Sequence, residues 1–292
     1  MRRLQRSILC AGAITLLCVA TAAAQTPKGG GKGGPGGKGG TPTSAPAAPV
    51  APLVIDVAAT RADLLGPDLD RAATAAQKLG QSRQPGVVDA LLDGLSMGLH
   101  PKVAAAALAA LAAQKDPRSL DVLLHYARNR NPGVRARAVT ALGTLDDPRA
   151  RTAVRVGLTD SDKGVRAAAA GVVAARKDVG AVDALLALFK KGDEATAAAL
   201  AAIATADVAR RVAELSGEAP DALVAQCLGE MLLRKDLGPE QVYVDIVDAL
   251  GKVPGDDTVV ALTAYIGSLP DKDNRKSKRE AQAIYEQRMG GQ

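Results

Sequence analysis

The chain has 292 residues, 47% of them apolar but only 2% aromatic and none tryptophan; small aliphatic contacts must therefore build its core, which favours close helix packing over a β-sandwich. The net charge of +6 sits wholly in residues 1–55, where Arg2, Arg3, Arg6, Lys28, Lys32 and Lys38 meet no acid. From Asp56 onward acids and bases balance, which excludes a global field for nucleic acid.

The chain opens on MRRLQRS, a basic start, followed by the apolar run ILCAGAITLLCVATAAA. Ala22-Ala23-Ala24 offers an A-x-A cleavage site before Gln25. Residues 1–24 thus read as a secretory signal peptide, and the expected location is extracytoplasmic, periplasmic or secreted. The alternative is an uncleaved anchor, because the apolar run is near the lower limit for a spanning helix. Cleavage would remove Cys10 and Cys18, and Cys227 alone could form no internal disulfide. No transmembrane segment is expected after cleavage.

Residues 25–55 are a Gly/Lys tract followed by a Pro/Ala tract, a composition that cannot bury enough apolar surface to offset its ordering entropy. A soluble tether is expected. GGPGGKGGT is not a phosphate-binding loop, since Gly39 follows Lys38 where Ser or Thr should hold a metal. A weak contact of Lys28, Lys32 and Lys38 with an anionic envelope surface is an alternative role for this arm.

From residue 56 to 270 helical spacing dominates. The first motif met is GLSMG, residues 94–98, which fits the G-x-S-x-G nucleophile elbow. That elbow needs a strand before the serine and a base in reach. VVDALLDGL has helical spacing instead, so Ser96 is expected at a helix end, with Gly94 and Gly98 as helix-terminating glycines.

After His100 the chain repeats itself. Val103, Val134 and Val165 share one register, as do Asp116, Asp147 and Asp178. The register continues, shortened, at Asp193 and Asp207 and then at Asp236. A fixed period of this size is the signature of a solenoid. Asn131-Pro132 gives an N-cap and a first-turn proline, and Val134, Ala138, Ala141 and Leu142 then recur at helical spacing. Asp116, Asp147 and Asp178 read as helix caps. The stretch around Ala198, Ile203 and Val208 has shortened spacing and lacks the arginine of the repeat, so it is expected to be the weakest joint.

Cys227, in VAQCLGEMLL, reads as a small buried hydrophobe. Residues 238–253 and 256–269 read as the last helix pair. Residues 271–292 read as a polar capping helix with Ala281, Ile284, Tyr285 and Met289 on one side. The run RKSKR, 275–279, is an alternative anionic-surface contact.

The pattern D/N-P-x-V-R-x-x-A-x-x-A-L-G-x-L-x-D-P, carried by NPGVRARAVTALGTLDDPRA and less completely by DKGVRAAAAGVVAARKD and HPKVAAAALAALAAQKDP, resembles HEAT-like repeats of the bilin-lyase type. The resemblance covers about residues 85–205. It implies an all-α, right-handed α-solenoid of about six two-helix repeats, the second helix of each pair lining the concave face. The family arginine falls on Arg135 and Arg166. These form either a basic ladder for an acidic partner or bonds to acids and helix-end carbonyls of neighbouring repeats.

No catalytic constellation emerges. His100 and His125 are the only histidines, and Cys227 lies some three to four repeats from either, so no Cys–His pair or zinc site of normal spacing forms. No cofactor or metal is expected. The expected function is a non-enzymatic scaffold that binds another protein through its helical surface, with Arg135, Arg137, Thr140, Arg166 and Arg176 as candidate contacts. The alternatives are a bilin-lyase-like enzyme or small-ligand chaperone, and a binder of anionic envelope surface.

Overall fold

The computed structural model describes residues 53–290. The signal segment and almost all of the Gly/Lys and Pro/Ala arm lie outside the described residues. Fifteen α-helices and no strand are present among those described. In chain order the pairs are α1 (Val57–Leu64) and α2 (Leu69–Gln81), α3 (Val87–Ser96) and α4 (Pro101–Gln114), α5 (Leu120–Tyr126) and α6 (Pro132–Leu142), and α7 (Pro148–Gly157) and α8 (Lys163–Arg176). They continue with α9 (Val182–Phe189) and α10 (Ala195–Ile203), α11 (Ala206–Ala213) and α12 (Asp221–Leu232), and α13 (Glu240–Lys252) and α14 (Asp256–Ser268). The last helix, α15 (Lys276–Gly290), packs on both α13 and α14. None of these helices is long and apolar enough to cross a membrane.

Local chemistry starts the helices where the sequence suggests. Asn131 Oδ1 accepts from the Val134 N–H, Asp147 from that of Arg149, and Asp162 from those of Gly164 and Val165. Pro101, Pro132 and Pro148 hold the first turn of their helices, where a missing N–H costs nothing. Asp116 and Asp178 do cap, but each caps a short 3₁₀ turn, Pro117–Ser119 and Val179–Ala181, that leads into α5 and α9. At Asp207, where the register is shortened, the cap has moved. Thr205 caps α11, its hydroxyl accepting from the Val208 N–H, and Asp207 lies inside the first turn.

The helices form two rows. The even-numbered helices from α2 to α14 each touch the next in the row, whereas from α3 to α11 the odd-numbered ones approach one another only sparsely. Unequal spacing bends the stack with α2–α10 on its inner side. Small residues permit the closer spacing. Ala107, Ala138 and Ala169 are each fully buried at one register position. A methyl at Gly80 would stand 2.9 Å from the Ala110 Cα, closer than packed atoms tolerate. Between the rows runs one continuous core, with Leu79, Leu91, Leu108, Leu123, Leu142, Leu158, Leu185 and Phe189 sealed from solvent. Because each pair packs on its neighbours, with only an exposed 3.9 Å Lys177–Asp236 ion pair reaching further among the described residues, stability is close to a sum of local and joint terms.

The terminal helix departs from its expected face. Ala281 is buried and Ile284 packs on the core, but Met289 is half exposed. Arg288 instead reaches back to the carbonyls of Gly251 and Val253, at 3.0 and 2.7 Å.

Candidate partner-binding surface

The GLSMG segment lacks the setting of a nucleophile elbow. It ends α3, with no strand before it. Gly94 is not a terminator, contrary to the sequence reading. It lies within the helix, buried, and a methyl there would meet Leu64 Cδ2 at 2.9 Å. Gly98 does end the segment, with φ +84°. The Ser96 hydroxyl donates to the Asp93 carbonyl at 2.7 Å, and the Leu95 carbonyl accepts from the buried Tyr126 hydroxyl at 2.7 Å. His100 Nδ1 accepts from the Lys102 N–H as a cap, and His125 lies edge-on to Tyr126. Ser96→Ala is therefore expected to shift stability by less than about 0.5 kcal/mol and to leave hydrolysis of activated esters at the background rate, read by thermal unfolding and a chromogenic ester assay.

Cys227 is sealed within α12, its thiol against the Ala197 carbonyl. Burial pushes the thiol far above its ordinary value, so it is inert as a nucleophile. Among the described residues no group of His, Cys, Asp and Glu could hold a metal ion.

The candidate contact residues divide by what they touch. Arg135 forks onto Asp160 at 2.7 and 2.8 Å and donates to the carbonyls of Asn129 and Arg130. Arg166 repeats this one unit on, with Asp193 and the carbonyls of Asp160 and Ser161. Arg176 donates to the Gly143 and Leu145 carbonyls at the end of α6. These three guanidinium groups tie neighbouring pairs together. Arg137 and Thr140 are different: both lie exposed on α6. The Thr140 hydroxyl donates to its own helix at Ala136, and Arg137 makes no hydrogen bond or ion pair with the described residues.

The surface around Arg137 is nearly flat. Exposed Ala109 and Ala113 of α4, and Ala167, Gly171 and Ala175 of α8, flank it along the inner row. A shallow groove of about 420 Å³ runs from Arg137 past Ala106 and Ala109 to Gln77 and Gln81 of α2. A partner meeting such a face immobilises few long side chains and so loses little rotamer entropy.

Charge on the odd-numbered row is neutralised internally. Arg118, Arg149 and Arg211 reach the preceding odd-numbered helix at Asp89, Asp121 and Asp183, at 2.6–2.7 Å. The Arg155 guanidinium holds the Asp178 carboxyl below the usual carboxylate range, and Arg135 does the same to Asp160. A carboxylate depressed in this way stabilises the fold above its unfolded value, near pH 4, and that stabilisation is lost as pH falls through the lower folded value. The melting temperature is therefore expected to hold from pH 8 to about 5.5 and to fall below about pH 4.5. Asp160→Asn should flatten that fall, as followed by calorimetry.

Carbonyl capping across joints was expected of Arg135 and Arg166, but the residues that cap the ends of α2 and α10 escaped the sequence reading. Gln114 donates to the Leu79, Gly80 and Ser82 carbonyls at the end of α2, and Arg234 to those of Ala201, Ala202 and Ala204 at the end of α10. Arg176 serves α6 in the same way. The only signal was positional: Gln114 and Arg176 occupy the last turn of even-numbered helices exactly two periods apart in register. The RKSKR run is also largely spent within the fold. Lys278 is buried with its ammonium on the Pro270 and Asp271 carbonyls, Arg275 pairs with Asp273, and Lys276 with Glu280.

The HEAT-repeat family pattern matches residues 126–206. No curated protein matches the chain in sequence. Among solved structures, a complex of phycocyanin lyase subunits CpcE and CpcF from Nostoc is similar at 18% identity, covering 84% of this chain and 98% of that one, with a TM-score of 0.42. Human deoxyhypusine hydroxylase is similar at 20% identity, covering 79% and 96%, with a TM-score of 0.36. A designed armadillo repeat protein is similar at 16% identity, covering 79% and 99%, with a TM-score of 0.37. Likenesses this distant carry nothing about activity or partners. Residues 126–206 match the HEAT-repeat family, and the helix pairs on either side continue the same two-row stack.

Proposed function

We propose that the protein is an exported, non-enzymatic scaffold that binds another protein on the inner face formed by α4, α6 and α8. Export rests on the basic start, the apolar run and the Ala22-Ala23-Ala24 site. The observation that carries binding is Arg137, a guanidinium without an internal partner on a smooth alanine and glycine surface, whereas Arg135, Arg166 and Arg176 are held inside the fold. Arginine on such a face is a good anchor, because its fork pairs with a carboxylate without rearranging the scaffold. The non-enzymatic reading is supported by the surroundings of Ser96, an exposed helix-end serine whose hydroxyl donates to its own helix with no histidine bonded to it, and by the burial of Cys227.

Cross-linking the chain in envelope extract, followed by mass spectrometry, tests this reading. A specific partner should cross-link to α4, α6 or α8. Arg137→Glu should lower its yield by about tenfold through charge reversal while leaving thermal stability unchanged. Finding no partner under several conditions, or an undiminished yield with Arg137→Glu, would sink it.

A further inference from the structure

We propose that the groove between α12 and α14, further along the row of even-numbered helices, docks a cationic amphipathic segment of the partner protein. This rests on the reading that the solenoid binds a protein, and it names the chemistry of a second contact. The groove encloses about 510 Å³, the size of a few side chains. Its apolar lining includes Leu233 and Val260, which are 47% and 67% exposed. These two large apolar side chains share one groove. Gly229 brings the groove's walls together: a methyl there would stand 2.7 Å from Ala261 Cβ.

The rim carries one sign of charge. Glu194, Glu230 and Asp257 line the groove, and no lysine or arginine does. None of the three forms an ion pair with the described residues, whereas Asp89, Asp121 and Asp183 on the odd-numbered row each meet an arginine of the next pair. Gln226 donates to Glu230 at 3.0 Å, a neutral contact that leaves the charge uncompensated. Glu194 and Asp257 stand at helix N-termini, where the dipole favours them. Glu230 does not. It lies in the last turn of α12, beside carbonyls that repel a carboxylate, and that turn holds no base. The nearest arginine in sequence, Arg234, is turned away onto the Ala201, Ala202 and Ala204 carbonyls and Asp236. A cation arriving from outside would relieve Glu230, and an apolar side chain beside it would cover Leu233 and Val260. Lysines and leucines on adjoining faces of one partner helix meet both demands.

The test uses the full chain and a fluorescein-labelled 16-residue (~24 Å as a helix) peptide of lysine and leucine at helical spacing. Controls are a lysine/serine peptide of equal charge and a glutamate/leucine peptide of equal apolarity. Saturable one-to-one binding is expected by anisotropy, about tenfold tighter than either control and weakening with salt. Glu230→Gln with Asp257→Asn, and separately Val260→Ser, should each weaken it by about tenfold, with circular dichroism unchanged. Arg137→Glu should not. Equal affinity for the lysine/serine peptide, indifference to the groove substitutions, or no binding would overturn the proposal. So would a concentration-dependent dimer in ultracentrifugation that Glu230→Gln abolishes, since the occupant would then be a second copy of this chain. If a cross-linked partner keeps its full yield in the groove variants but loses it with Arg137→Glu, the groove assignment fails and the scaffold reading stands. If the peptide binds the groove but no partner is ever captured, the scaffold reading falls by itself.

Discussion

Leu142→Ala is expected to lower the unfolding free energy by about 2–5 kcal/mol. Leu142 ends α6, is 1% exposed, and belongs to the core shared with the neighbouring pairs. Truncation removes apolar contact and leaves a cavity, and the cost depends on how far the walls can close. Here they can close little. Ala138 and Ala169 already hold the inner helices near contact, and a void of about 10 Å³ lies beside Leu142, Gly143 and Val172. Arg176 further fixes the Gly143 and Leu145 carbonyls in place. In a solenoid no distant packing compensates, because each pair packs on its neighbours. Urea unfolding should show a lower midpoint with an unchanged slope. A loss below about 1 kcal/mol would mean that the α6–α8 joint repacks freely.

Leu142 was legible in the sequence because its role follows from local spacing, and the same holds for much of the fold. Asn131, Asp147 and Asp162 announce helix starts by residue type alone, since capping is settled within three residues of chain. Cys227 was legible as core from its apolar surroundings. Other features depend on which neighbour a side chain meets about thirty residues away. Gly94 and a terminating glycine look alike in sequence; only the arrival of Leu64 from α1 shows that this glycine makes room for a packed neighbour. Lys278 reads as one charge in a basic run, yet its ammonium folds back onto two carbonyls. The candidate surface was legible in part. Five residues were candidates on one basis, and the structure sorts them by reach: Arg135, Arg166 and Arg176 find internal acceptors, and Arg137 finds none. The acidic groove had no repeat signature at all, because it lies where the period has lapsed.

That lapse bears on the joint expected to be weakest, around Ala198, Ile203 and Val208. Its helices are short: α10 has 9 residues and α11 has 8. Glu194 gives α10 no side-chain cap, the first turn being held instead by Asp193 Oδ1, which accepts from the Ala195 N–H at 3.2 Å, and Ala204 leaves the helix with ψ 137°. The family arginine is absent there, as the sequence indicates, but another arginine arrives from the far side. Arg234, at the end of α12, donates to the Ala201, Ala202 and Ala204 carbonyls at 2.7, 3.1 and 3.0 Å. It covers the Ala202 and Ala204 carbonyls, which the end of α10 does not satisfy within its own helix, and joins the Ala204 N–H at the Ala201 carbonyl. Arg234→Ala is therefore expected to cost about 1–3 kcal/mol, the penalty for stranding partly buried carbonyls. The effect should be local. Amide exchange in residues 195–204 should accelerate, whereas residues 101–142, more than one joint away, should exchange as before. Arg234→Lys should recover only part of the loss, because a single ammonium cannot span the carbonyls as a planar fork does. Uniform acceleration across the whole solenoid would show that α10 is not an independent weak unit, and unchanged exchange at residues 195–204 would show that Arg234 does not hold the joint.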